Sequence, residues 1–212
     1  LFYFAARVGK SGQPSQPFIV WPEGNGRLVK HLRSDVEGKS LSGWAVSSVK
    51  PTDSGVDVVA FSSDESQPAK GWHARRVVFA APPFLAPYLI EGYAADGPQT
   101  IRDFQFGSWL VANLHLKDRP NSHEDAFALS WDNVIIGSPA LGYVVATHQV
   151  GLDYGPTVLT YYYPLTDSDP KVARERLLKL SWAEWADVVL TDLERAHPDI
   201  RDLTTRLDIM RW

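Results

Sequence analysis

The chain has 212 residues, 44% hydrophobic and 22% charged, with a formal net charge of −4. These figures describe a globular chain long enough for one domain or two small ones sharing a core, and they exclude disordered and fibrous classes. The acidic balance leaves no footprint for nucleic acid, because Arg75-Arg76 and the run from Arg174 to Arg176 are too short to track a phosphate backbone.

Cysteine is absent, which removes disulfides, thiolate metal sites and a thiol nucleophile. No apolar run approaches the roughly 18 residues of a membrane span. The segment LFYFAARVG is already under way at Leu1, and RLDIMRW stops on an apolar run. Both ends therefore read as cuts in a longer protein.

The stretch FIVWPEGNGRLVKHL, from Phe18 to Leu32, reads as a short apolar run, a Pro-Glu-Gly-Asn-Gly loop and a helix. Leu28 and Leu32 share one face of that helix. As a dinucleotide loop it fails: Gly24-Asn25-Gly26 is followed by Arg27, Leu28 and Val29, so the third glycine of G-x-G-x-x-G is missing. A turn that uses glycine for a positive φ before the helix is the simpler reading.

WAVSSV (44–49) and VDVVAF (56–61) are β-rich runs separated by turn residues, Lys-Pro-Thr-Asp-Ser-Gly, and predict a hairpin. After the polar stretch SSDESQPAKG, the run Val77 to Ala81 predicts a strand buried on both faces. Residues 102–165 predict successive antiparallel strands in FGSWLVANLHL, DAFALSWDNVI, LGYVVATHQV and TVLTYYYPL. Asp132 and Asn133 read as a turn.

From Asp169 the period becomes helical. Asp169 caps, with Pro170 at the first helical position. Leu178, Trp182, Trp185, Val189 and Leu193 stripe one face. Ser181-Trp182-Ala183-Glu184 is a capping-box pattern that predicts two helices meeting near Ser181. The fold class is α+β.

In order, Pro22-x-Gly24-x-Gly26, the helix, the strand through Val46, the strand after Gly55 and the run ending Ala81-Pro82 resemble the middle of the flavin-containing amine oxidase and phytoene-desaturase-like superfamily. The motif match covers about residues 18–90. The remainder is similar to a bacterial branch of FAD-dependent oxidoreductases.

The resemblance implies FAD-binding α/β elements over 1–90, an antiparallel substrate-domain sheet over 91–168 and a helical segment over 169–212 packing on it. It implies that Val46 packs at the adenine end of FAD, that Pro22, Gly24 and Gly26 shape a loop near the cofactor, and that Ala81 and Pro82 end a strand leaving the FAD domain. It also implies oxidation of a small organic substrate by hydride transfer to flavin. The family's G-x-G-x-x-G and C-terminal flavin segment are not in this sequence, so the chain alone is expected to hold FAD poorly and to be inactive. Any targeting segment is expected outside this chain, and a cytoplasmic location is the working expectation.

Candidate catalytic residues are His148, in VVATHQV, as an acid or base, and Tyr143 and Tyr161, on strands expected to face the substrate cavity. The simpler reading of each is a core or sheet-face residue. His115 is a similar case. His31, His73, His123 and His197 lack metal-ligand spacing. Lys117 and Lys171 sit in no motif. Two further readings remain: a relative of the flavin fold that binds a ligand or partner without redox chemistry, and a free-standing α+β binding domain.

Overall fold

The computed structural model describes residues 21–64, 66–123 and 129–212. The apolar runs Leu1–Gly9 and Phe18–Val20, and the start of DAFALSWDNVI, lie outside the described residues. The chain is α+β with antiparallel sheets and divides into two compact units. One is residues 30–105; the other is residues 106–212, to which the described residues before Lys30 are also assigned.

Helix α1 (Gly26–Ser34) follows a turn in which Gly24 N–H donates to Trp21 O at 2.8 Å. Gly24 takes φ +58°, a region that costs a side-chain-bearing residue energy but not glycine. That is the turn expected from the sequence. Gly26 needs no such freedom and opens the helix. Leu28 and Leu32 do share a face, but both are exposed.

The first unit holds a three-stranded antiparallel meander, β1 (Trp44–Thr52), β2 (Gly55–Ser62) and β3 (Ala69–Ala74). The expected hairpin is the β1–β2 pair, which closes at Thr52↔Gly55 with Asp53 and Ser54 at the tip. A register shift between Val46 and Ser48 leaves Ser47 as a bulge residue. Short helices α2 (Ala86–Leu89) and α3 (Tyr93–Asp96) follow, and Glu91 N–H donates to Val49 O on the outer edge of β1. Val49, Ala60 and Ala86 are buried here.

Two elements differ from the sequence expectation. Ala69–Ala74, inside and after the polar stretch, forms β3. Val77 to Ala81 forms no strand, and Val78 is 90% exposed. A strand exists through its ladder, and no described residue offers one to this run.

The second unit is a five-stranded antiparallel sheet with order β5-β6-β7-β4-β8. Its strands are β4 (Trp109–Leu116), β5 (Asp132–Asn133), β6 (Gly142–Val145), β7 (Thr157–Pro164) and β8 (Thr204–Arg211). Helices α4 (Pro170–Lys179), α5 (Trp182–Glu194) and α6 (Ile200–Leu203) precede β8. Leu110, Ala112 and Leu114 on β4 and Leu159, Tyr161 and Tyr163 on β7 pack with Ala173, Leu177, Trp185, Val189 and Leu193 of the helices. Each fully buried Leu contributes about 1.5–3 kcal/mol through burial.

Asp169 caps α4 by accepting from Lys171 N–H, with Pro170 in the first turn. Ser181 and Glu184 form the expected capping box at α5. The break between the helices resets the helical phase, so the expected stripe does not run through it. Trp185, Val189 and Leu193 are buried, whereas Leu178 and Trp182 are exposed and Leu177 takes the inward place.

The segment after Asp169 does not stay helical. β8 returns to the sheet beside β4 as its edge strand. Its edge is partly closed by the Trp182 indole, whose Nε1–H donates to Leu207 O at 3.1 Å. Asp132 and Asn133, expected in a turn, pair with β6. Asn133 nonetheless ties the preceding bend, accepting from Ser130 N–H and donating to Ser130 O.

Candidate functional site

Period-two alternation decides which side chains of the sheet are available. On β4 the even positions from Leu110 to Leu116 are buried, and Trp109, Val111, Asn113 and His115 are on the other face. On β7 the odd positions from Thr157 to Tyr163 are buried, and Val158, Thr160 and Tyr162 are on the other face. The register pairs Ala112 with Tyr161 and Val111 with Tyr162, so each face is continuous across strands. Helices cover one face and leave the other half-open.

Tyr143 and Tyr161 are cross-strand partners on the helix-covered face, not on the open one. The Tyr161 hydroxyl donates to Asp192 Oδ2 at 2.8 Å, and Ser138 Oγ donates to the same oxygen at 2.6 Å. Arg195 donates to Asp192 Oδ1 at 2.9 Å. Burial, and then the hydrogen bond and negative charge of Asp192, raise the Tyr161 pKa well above the ordinary tyrosine value. Burial alone pushes Tyr143 up to about 12. Both hydroxyls remain protonated at neutral pH.

The Tyr143 hydroxyl lies 2.6 Å from His197 Nε2, and His197 Nδ1 lies 2.8 Å from Asn121 O. A carbonyl only accepts, so Nδ1 carries the hydrogen and Nε2 accepts from Tyr143. Burial lowers the His197 pKa, opposed by the Asn121 hydrogen bond and the Asp199 charge. Asp199 in turn accepts from Asn121 N–H and Nδ2. Tyr143 and His197 border a cleft of about 380 Å³ with Asn133 and Arg195. No local pattern marks His197, because its partners are 54 and 76 residues away.

His148 is not on a strand. β6 ends at Val145, and Ala146–Val150 forms a 3₁₀ turn closed by Gly151 at φ +72°. The exposed imidazole stacks on Trp131 at 6.3 Å between ring centroids. It borders a second cleft of about 270 Å³ with Arg119, Val145 and Asp153.

The six residues expected near a cofactor fall in both units. Pro22, Gly24 and Gly26 belong to the unit with the five-stranded sheet, and Val46, Ala81 and Pro82 to the other. Pro22, Gly26, Val46, Ala81 and Pro82 are exposed and Gly24 is half-buried. Among the described residues no atom lies within 4 Å of where a Cβ would stand on Gly24 or Gly26. Val46 sits beside the bulge on edge strand β1.

The open face of the five-stranded sheet brings together residues that no local pattern joins. Trp109, Val111 and Tyr162 give it an apolar, aromatic centre, with Met210 from β8 directly across from Val111. Beside them Thr160 Oγ1 donates to Asn113 Oδ1 at 2.8 Å, and His115 Nε2 lies 3.2 Å from Asp208 Oδ2. The signal was present in LVANLHL and TTRLDIMR, where polar residues alternate with apolar ones. An apolar floor with a few fixed polar groups is the usual make-up of a small-molecule surface.

Solved structures share this fold, among them two putrescine oxidase variants. Over 88% of this chain the structure is similar to a putrescine oxidase triple mutant redesigned in cofactor binding, with a TM-score of 0.61 and 19% sequence identity. A putrescine oxidase double mutant from the same redesign gives a TM-score of 0.60 and 17% identity over the same share. The likeness is one of fold. The chain spans 38% of the length of those oxidase chains. No protein-family model matches the sequence, and no curated protein does.

Proposed function

We propose that this chain contributes a substrate-binding sheet and part of an FAD-binding domain to an amine-oxidase-like oxidoreductase. The complete enzyme oxidises a small organic substrate by hydride transfer to flavin. The observation that carries the reading is the fold likeness to putrescine oxidase over nearly the whole chain. The half-covered sheet supports it, because its open face joins aromatic area to fixed polar groups.

Exposure of the Pro22–Gly26 loop and, in the other unit, of edge strand β1 supports a cofactor role for each. The absence of side chains at Gly24 and Gly26 and the edge-strand position of Val46 are features that let a nucleotide approach closely. In this reading Val46 holds the adenine end, the Pro22–Gly26 loop comes near the cofactor, and Ala81-Pro82 leads out of the FAD domain. Bound there, FAD supplies the hydride acceptor. The exposed apolar run Val77 to Ala81 suits a strand covered by the rest of a longer FAD domain.

The test is a visible spectrum of the complete gene product, with mass analysis of any released cofactor. A flavin double band and the mass of FAD support the reading, and bleaching by candidate substrates then reports the reaction. A colourless full-length protein that takes up no added FAD overturns it and leaves a ligand- or partner-binding module.

A further inference from the structure

On the open sheet face two strands, β4 and β8, assemble a polar group from residues up to 93 positions apart. Asp208 of β8 uses both oxygens: Arg206 Nε donates to Oδ1 at 2.9 Å, and His115 Nε2 of β4 meets Oδ2 at 3.2 Å. The hydrogen bond from Arg206 is the largest influence on Asp208 and holds its carboxyl below the usual range, with the charges of Arg206 and His115 adding to it against burial. Asp208 is therefore anionic through the neutral range.

A carboxylate accepts, so the neutral imidazole carries its hydrogen on Nε2 and leaves Nδ1 as a bare lone pair. No hydrogen bond among the described residues takes Nδ1. The two side chains are 41% and 39% exposed, open to a ligand on the face. Arg206, directly across from His115, and Asp208, diagonal to it, are the charged groups facing it from β8. From β7 come Val158 and Thr160, and from β4 itself Val111 and Asn113.

We propose that His115, held in register by Asp208, is the acid–base residue of this face, and that its Nδ1 receives a proton from an N–H or O–H of a small apolar substrate. The inference rests on the open face being the substrate surface. In the step the N–H or O–H bond breaks, its electron pair stays on the substrate heteroatom, and the proton bonds to Nδ1. The resulting imidazolium is stabilised by the Asp208 carboxylate. Asp208 is a positioning residue: it selects the tautomer that leaves Nδ1 free.

The experiment uses ¹⁵N- and ¹³C-labelled full chain and benzyl alcohol, a probe with an O–H that does not titrate between pH 5 and 9. The wild-type His115 nitrogens should report the Nε2–H tautomer. Asp208→Asn should mix in the Nδ1–H tautomer, and Asp208→Glu should restore the first. Benzyl alcohol should shift the Trp109, Val111, Tyr162 and His115 signals together. His115→Gln should weaken binding about three- to tenfold, one hydrogen bond's worth.

If the probe shifts Trp109, Val111 and Tyr162 but leaves the His115 nitrogens unmoved, the acid–base role is overturned and the face remains a binding surface. If the wild-type imidazole is found as the Nδ1–H tautomer, the role is overturned regardless of the variants. If no residue of the face responds, both this role and the substrate-face reading fall.

Discussion

Tyr161 and Tyr162 are neighbours on β7 and point to opposite faces of the sheet. Tyr161 is fully buried and donates to Asp192 beneath the helices, whereas Tyr162 lies on the open face across from Val111. Loss of the two hydroxyls should therefore have unequal effects. Tyr161→Phe removes a donor from a buried carboxylate and should cost about 1–3 kcal/mol. Tyr162→Phe should change stability by no more than about 0.5 kcal/mol. Urea midpoints of the two variants measure the difference, and equal losses would contradict the face assignment.

The Tyr143–His197 pair predicts acid sensitivity. Burial lowers the folded-state His197 pKa, so below the ordinary value near 6.5 the unfolded chain binds a proton that the folded chain resists. Stability is fully present above that value and falls as pH drops through it toward the lowered folded value. His197→Gln should be less stable at neutral pH and should flatten this part of the profile. Thermal unfolding between pH 7.5 and 5 reads both effects.

At the alkaline end the sign reverses. Tyr143 and Tyr161 are held neutral in the fold, so above about pH 10 the unfolded chain releases protons that the folded chain keeps. Stability should decline from there upward. Tyrosine absorbance at 295 nm should show two groups that ionise only with unfolding, and Tyr143→Phe should remove one of them.

The helix junction predicts a contrast between two tryptophans. Trp185 is buried, stacks edge-on against Tyr163 at 6.2 Å, and donates to Leu177 O, so Trp185→Ala should cost about 3–5 kcal/mol. Trp182 lies one turn earlier and is exposed, and Trp182→Ala should cost much less. Ser181→Ala, which breaks the capping box, should cost about 0.5–2 kcal/mol. Denaturation of the three variants tests whether the helical phase is reset at Ser181.

What the amino-acid sequence determined by itself was local. The β1–β2 hairpin, the Gly24 turn, the Asp169 cap and the capping box at Ser181 each rest on residues within a few positions of one another, so composition and spacing suffice. Aromatic and β-branched content between turn residues likewise marked β4 and β7 as strands.

Tertiary structure alone decided the rest. Period two is the same whichever side is inward, so Tyr143 and Tyr161 could be assigned to the helix face, and Tyr162 to the open one, only once α4 and α5 were packed. β8 reads as an irregular apolar tail until β4, some ninety residues earlier, provides its ladder. Val77 to Ala81 has the composition of a strand but no ladder among the described residues. His115 and Asp208 acquire a joint chemistry only because the sheet places their strands side by side. Hydrogen-bond ladders and buried faces are satisfied by distant partners, and no local pattern names those partners.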